Sequence, residues 1–456
     1  MSTSMKQRPW EALREVLAAG DVLRLKGFLD DLSPAETARA ISRLSAHEQR
    51  KLLTILAPGD AAYVIKEVSD AQAVDLIEDL PAESAAAIVD EIPSNRQADL
   101  LAELDREDAE AILKEMSPEE SEDVRRLLRY DPDTAGGLMI TEYVAYKETE
   151  RVSDVLHDLQ GNREEYGDYH VQYLYVVDEG GKLVGVLRMH DLLFADAESV
   201  LSTFMLREPL KIRASATMEK LRQFFDEHKL FGVPVVNRHD QLVGVVLPRA
   251  VKEASLRDAN RQYLGLSGII GGEELRTMPL MLRSGRRFSW LSINIVLNII
   301  AASVIALYTD TLTAAIALAV FLPMISDMSG CSGNQAVAVS MRELTLGLIR
   351  PNEVLRVIGK EVGLGAMNGL VLGLLLGGVA LLWKGNIYLG MVVGAALMAN
   401  TILSVVLGGS LPLILKRVKL DPALVSSPIL TTVTDMCGFF LVLSLATAVL
   451  PKLTGA

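Results

Sequence analysis

The 456-residue sequence predicts a multidomain protein with an all-α superhelical amino-terminal domain, a tandem α/β module, and a polytopic α-helical membrane domain of five spans. Three observations predict it. Apolar residues recur every twelve positions through the first 130 residues. A strand-bearing unit then repeats at an offset of 59 residues, the distance from Leu183 to Leu242. Five long apolar stretches follow, almost free of charge.

The repeat comes first because it sets the architecture of the front region. Leu32, Leu44, Leu56, Val68, Leu80, Ile92, Leu104, Met116 and Leu128 form one apolar series. Ala40, Leu52, Val64, Leu76, Ile88, Leu100, Ile112 and Val124 form a second. Ile41, Leu53, Ile65, Ile77, Val89, Leu101 and Leu113 form a third, which Arg125 ends. Spacings of three and four within each unit describe one face of a helix. Ser33, Ser45, Ser69, Pro81, Pro93 and Ser117 follow the first series, where one helix should stop and the next begin. Such short helices cannot bury a face alone, so they are expected to stack as a solenoid over residues 1–130. The acids between the apolar series, among them Asp75, Glu78, Asp79, Asp90, Glu91 and Asp99, are expected to form a solvated face. Weak cation sites shared with a neighbouring domain are the alternative.

After Tyr130 the pattern turns to strands. Tyr173–Val177 and Leu183–Val186 flank Gly180-Gly181 and read as a hairpin, which Val235-Val236 and Leu242–Val245 repeat. Amphipathic helices, Val152 to Gln160 and Met218 to His228, precede the two hairpins. This tandem unit, split as 131–200 and 201–255, resembles a pair of cystathionine-β-synthase (CBS) domains. The resemblance implies regulation, and such pairs often bind an adenine nucleotide through an Asp after the second strand. Asp191 holds that place in the first copy and Ala250 in the second, so a coupling module without nucleotide is the alternative.

The five predicted spans are Phe288–Leu307, Leu312–Val339, Val362–Leu382, Leu389–Leu415 and Pro428–Leu450, each long enough for about 30 Å of hydrocarbon. Their domain is taken as 283–456, after a connecting helix over 256–282. Arg283, Arg286 and Arg287 precede the first span. Arg342, Arg350, Arg356 and Lys360 separate the second and third, and Lys416, Arg417 and Lys419 the fourth and fifth. The opposite loops hold one base, Lys384. The positive-inside rule therefore predicts a cell-membrane protein with a cytoplasmic amino terminus and an outside carboxyl terminus. Gly365, Gly369, Gly373 and Gly377 in the third span form a packing stripe, within one subunit or between two.

Composition narrows the function. The net charge of −13 belongs to the front of the chain, since only 7 of the 58 acids lie beyond residue 287. An acidic surface repels nucleic acid and concentrates cations, which argues against a DNA or RNA partner. Met1 to Trp10 contain no apolar core, so no cleaved secretory signal is expected. Cys331 and Cys437 lie in apolar stretches, where small-residue packing is the expected role.

Asp435 stands inside the fifth span. An ionisable group there costs at least roughly 2.5–3.5 kcal/mol unless it meets water or a partner, and no Lys or Arg lies within a span. A cation site is the expected role. Pro323, Asp327, Ser329, Gly330, Gly333, Asn334 and Gln335 are expected to break the second span in its middle, as transport proteins do to present oxygens to cations. Asp327, Asn334, Asn400 and the threonines before Asp435 are oxygen donors suited to Mg²⁺ or Ca²⁺. All six histidines precede the spans, which excludes an imidazole-lined zinc path and a His-Glu-x-x-His membrane protease.

The order of parts, with Tyr130–Met139 at the junction and Asp421–Pro428 leading to Asp435, resembles the MgtE family of Mg²⁺ channels. The resemblance implies a homodimer in the lipid bilayer whose pore carries a divalent cation, with Asp435 of each subunit facing hydrated Mg²⁺. Asp421 is similar to an acid at the cytoplasmic mouth, and Thr431 to a residue whose backbone oxygen faces the ion. It also implies a plug helix around Arg249 to Gly268, with regulatory Mg²⁺ held by cytosolic acids. At those positions this chain has Lys229, Ala250, Arg261 and Gln262, and only Glu253 and Asp258 remain acidic. Mg²⁺ gating is therefore expected to be weakened or rebuilt. The expected function is passive Mg²⁺ influx, not enzymatic. A broader Co²⁺/Ni²⁺ carrier or an ion-coupled Mg²⁺ exporter is the alternative.

Overall fold

The computed structural model describes residues 8–167, 169, 172–269, 274, 276, 278 and 280–454, without the side chains of 164, 165, 424 and 425. Parts of the expected connecting segment (270–273, 275, 277 and 279) and residues 1–7 lie outside the described residues. The chain divides into two compact units after Asp258.

The front of the first unit is a run of short helices from Pro9–Ala19 to Pro118–Leu127. The anticipated boundary residues Ser33, Ser45, Ser69, Pro81, Pro93 and Ser117 all stand at helix N-caps. At Ser45 the capping is reciprocal, because Glu48 accepts the Ser45 N–H at 2.7 Å and Ser45 Oγ accepts the Glu48 N–H. Each helix packs on the next but one, giving two rows. Pro34–Ile41, Pro58–Glu67, Ala82–Val89 and Arg106–Glu115 make one, and Ala46–Ile55, Asp70–Glu78, Ser94–Glu103 and Pro118–Leu127 the other. The three apolar series fill the core between the rows, and only Leu128, at the end, is exposed.

The junction after this stack is close-packed. A side chain on Gly136 would meet the Tyr130 ring, and one on Gly137 would lie 2.5 Å from the Asp131 carbonyl. The α/β module follows as two sheets. Strands β1 (Ala145–Lys147), β2 (Tyr173–Val177), β3 (Leu183–Arg188) and β4 (Leu206–Arg207) form the first in that order. Strands β5 (Ile212–Arg213), β6 (Val233–Val236) and β7 (Leu242–Val246) form the second. Both copies pair a parallel strand with an antiparallel hairpin. The hairpin turns bond reciprocally, Leu183 N–H to Asp240 O and Leu242 N–H to Gly181 O, each at 3.1 Å. The predicted amphipathic helices form over Val152–Gly161 and Met218–Glu227. A helix then runs from Pro248 to Leu266 and ends at Gly268, whose φ of +77° is a conformation that side chains rarely adopt. Trp290 covers the space where a Gly268 side chain would go.

Five helices are long and apolar enough to cross a membrane: Leu280–Ala306, Ile316–Thr345, Val354–Lys384, Ile387–Arg417 and Ser426–Ala448. The fourth packs against the second, third and fifth. The glycine stripe works within one chain, between the third and fourth spans. A side chain on Gly373 would stand 2.6 Å from the Gly394 carbonyl, and one on Gly377 2.7 Å from that of Gly390.

The expected break in the middle of the second span does not occur. A 3-10 turn over Ile316–Val320 leads into an unbroken α-helix from Phe321 to Thr345. Pro323 falls in the first turn of that helix, where no intrahelical hydrogen bond is lost. Gly333 instead admits the fourth span, since a side chain there would collide with Ser404 and one on Gly408 would collide with the Gly333 carbonyl.

Candidate ion pathway

Asp327, Cys331 and Asn334 recur at helical spacing on the second span, and Thr431 and Asp435 do so on the fifth. All five line one cavity of about 640 Å³. Ser326 and Gly330 add to its polar wall, while Ile305, Leu312, Pro323 and Phe439 contribute apolar surface. Four residues singled out as oxygen donors are thus brought together: Asp327, Asn334, Thr431 and Asp435. Asp327, Asn334 and Thr431 are exposed, and Asp435 is half-buried. Among the described residues no Lys or Arg lines the cavity, so its two carboxylates impose a negative potential that favours a cation.

Ser326 was not singled out from the sequence, although its hydroxyl donates to Asp435 Oδ1. Its signal was the spacing of four that puts Ser326, Gly330 and Asn334 on one face. Cys331 also departs from expectation: it is a free, exposed thiol on the cavity wall, and not a packing residue.

Asn400 does not line the cavity. It is fully buried, and its Nδ2 donates to the Thr434 carbonyl at 3.1 Å. The fourth span therefore grips the backbone beside Asp435, because the face bearing Asn400 turns into the bundle. Ser404 does similar work, donating to the Ser329 carbonyl at 2.6 Å. Asp421 stands at the start of the fifth span, where its carboxylate caps the helix by accepting the Ala423 N–H at 2.8 Å. Fourteen residues of helix separate it from Asp435, roughly 21 Å.

Of the remaining acids, Glu253 is paired with Arg249 at 2.7 Å and Asp258 is half-buried. Neighbouring Arg257 reaches Asp99 at 3.2 Å and Asp70 at 3.7 Å, while Arg96 holds Asp70 at 3.0 Å. Burial pushes the Asp99 carboxyl above its ordinary range, against the opposing pull of Arg257 and Arg96. In the α/β module, the Arg188 guanidinium forks onto Asp191 at 2.7 and 2.9 Å. That pair holds the Asp191 carboxyl below its ordinary range.

Comparison with known proteins decides the family. The chain is 32% identical over 333 residues to the magnesium transporter MgtE of Thermus thermophilus, covering 72% of this chain and 73% of that protein. The chain belongs to the MgtE family. Residues 322–445 match MgtE, described as a divalent cation transporter, and residues 32–133 match the MgtE intracellular N domain. CBS domains match at 135–198 and 201–257. The magnesium transporter MgtE of Bacillus subtilis is 30% identical over 335 residues, 73% of each chain. That of Enterococcus faecalis is 29% identical over 328 residues, 72% of each. The divalent cation transporter match of this MgtE-family chain contains every residue of the cavity from Leu322 to Phe439, among them Asp327, Asn334, Thr431 and Asp435.

Proposed function

We propose that this MgtE-family protein is a Mg²⁺ channel carrying the ion passively inward along a path past Asp435. The observation that carries the reading is the shared cavity of Asp327, Asn334, Thr431 and Asp435. Mg²⁺ surrenders its water reluctantly and is satisfied by one or two carboxylates around a hydrated ion. A cavity this large accommodates the ion with its waters. The membrane potential would supply about 4.6 kcal/mol per divalent ion per 100 mV.

In this reading the chain acts as a homodimer in the cell membrane, with the cytoplasmic amino terminus and outside carboxyl terminus that the positive loops favour. Asp421 lies at the cytoplasmic mouth of the path. Regulation by Mg²⁺ at Glu253 and Asp258 is weakened, because guanidinium groups already neutralise Glu253 and the nearby Asp70 and Asp99. A broader divalent range is the second reading, and the Cys331 thiol favours it as a soft donor on the cavity wall.

The test is flux into proteoliposomes under a clamped potential. The reading requires Mg²⁺ entry that follows the potential and stops in Asp435→Ala, with the variant still folded and dimeric. Movement against the electrochemical gradient would identify an exporter, and a preference for Co²⁺ or Ni²⁺ the second reading. Full uptake by Asp435→Ala would refute the assignment of Asp435.

A further inference from the structure

Serines on a helix commonly turn their hydroxyls back to the carbonyl four residues earlier. Ser329 and Ser332 of the second span do this, bonding Ile325 O at 2.7 Å and Met328 O at 3.1 Å. Ser326 does not. Its hydroxyl crosses to the fifth span and donates to Asp435 Oδ1. Oδ2 of Asp435 has no protein hydrogen bond among the described residues, and Asp327 on the same cavity wall has none on either oxygen. The two carboxylates of the cavity therefore differ: one is held and half-occupied, the other unheld.

That difference bears on which ion is accepted. A carboxylate with both oxygens available can chelate a large cation directly, as Ca²⁺ sites do with six to eight oxygens. A carboxylate with one oxygen already accepting a hydrogen bond keeps only one oxygen wholly free, which suits a water in the shell of a hydrated Mg²⁺ better than two-oxygen chelation. We propose that Ser326 is a specificity-determining positioning residue: its hydroxyl bonds Asp435 Oδ1, orients the carboxylate, and weakens a bidentate seat for Ca²⁺ at Asp435. The proposal rests on the reading of Asp435 as a cation site. The interaction is charge-assisted, a class stronger than neutral hydrogen bonds, and it also ties the second span to the fifth at the level of the ion.

The experiment measures Mg²⁺ and Ca²⁺ entry separately, using the full-length protein in proteoliposomes at a fixed potential. Four variants are compared: Ser326→Ala, Ser326→Thr, Ser326→Val and Asp435→Asn. Thr and Val have the same shape and differ in the hydroxyl, so a packing effect is common to both. The ratio of Ca²⁺ to Mg²⁺ entry rises by about tenfold in Ser326→Ala and Ser326→Val, the scale of losing one hydrogen bond to a charged group. Ser326→Thr restores the original ratio. Equal ratios in the Thr and Val variants, with Asp435→Asn inactive, overturn the role of Ser326 and leave Asp435 as the ion site. Undiminished flux through Asp435→Asn overturns the underlying reading as well.

Discussion

The Asn400 side-chain amide donates to the Thr434 carbonyl at 3.1 Å, one residue before the carboxylate in the fifth span. Asn400 Oδ1 is buried with no hydrogen-bond partner among the described residues. The bond therefore fixes the backbone that carries Asp435, while the unpartnered Oδ1 keeps the net gain from the side chain modest. Asn400→Ala is predicted to cost about 1 kcal/mol of stability and to lower maximal Mg²⁺ flux several-fold without abolishing it. Thermal unfolding in detergent, together with flux at saturating Mg²⁺, checks both. Asn400→Asp places an unpaired charge at the same buried point and is predicted to prevent assembly.

Arg257 occupies the space between Asp70 and Asp99 with a permanent charge. All three side chains are about one-third exposed, so each pair contributes at most about 1 kcal/mol. Its consequence is for regulation: a guanidinium already neutralises acids that could otherwise gather around a divalent ion. Protease protection of the helix from Pro248 to Leu266 is predicted to change little between zero and millimolar Mg²⁺. Arg257→Asp would leave three acids together, and Mg²⁺-dependent protection is then expected to appear. Strong Mg²⁺ dependence in the unaltered protein would contradict this account.

The third and fourth spans meet through glycines, so bulk at their crossing has nowhere to go. Gly373→Leu would drive a side chain into the Gly394 carbonyl, and overpacking of this kind costs about 1–3 kcal/mol. Gly378, five residues along, has open space at the same position. The Gly373 variant is predicted to unfold at lower temperature in detergent, and Gly378→Leu to behave as the unaltered protein.

These contrasts show what the sequence makes legible. Every position of the three twelve-residue series before Leu128 is buried in the helical stack, because repetition averages out local accidents, although the core also takes Leu13, Ala61, Ala73 and Ala85 from outside those series. The hairpins were equally plain, since each occurs twice. The five spans are legible by length, although three of the helix ends run well beyond the apolar stretches: the first span begins at Leu280 and not Phe288, the second ends at Thr345 and not Val339, and the third begins at Val354 and not Val362. What composition could not reveal was the use of each polar residue. Pro323 and Gly333 looked like breakers, yet one sits in a first turn and the other makes room for the fourth span. Asn334 and Asn400 are the same residue type on neighbouring spans, and only helix rotation separates a cavity wall from a buried tie. Ser326 was passed over because its partner lies 109 residues away in the chain.

Cys331 offers a native reporter for the central claim, a wet route past Asp435, because it is exposed on the same cavity wall. A Cys437→Ser protein, carrying Cys331 as its single thiol, can be treated with a charged, water-soluble thiol reagent while Mg²⁺ flux is recorded. The account predicts that Cys331 is modified, that flux falls as modification proceeds, and that Mg²⁺ slows the reaction. An unreactive Cys331, or full flux through a completely modified protein, would contradict it.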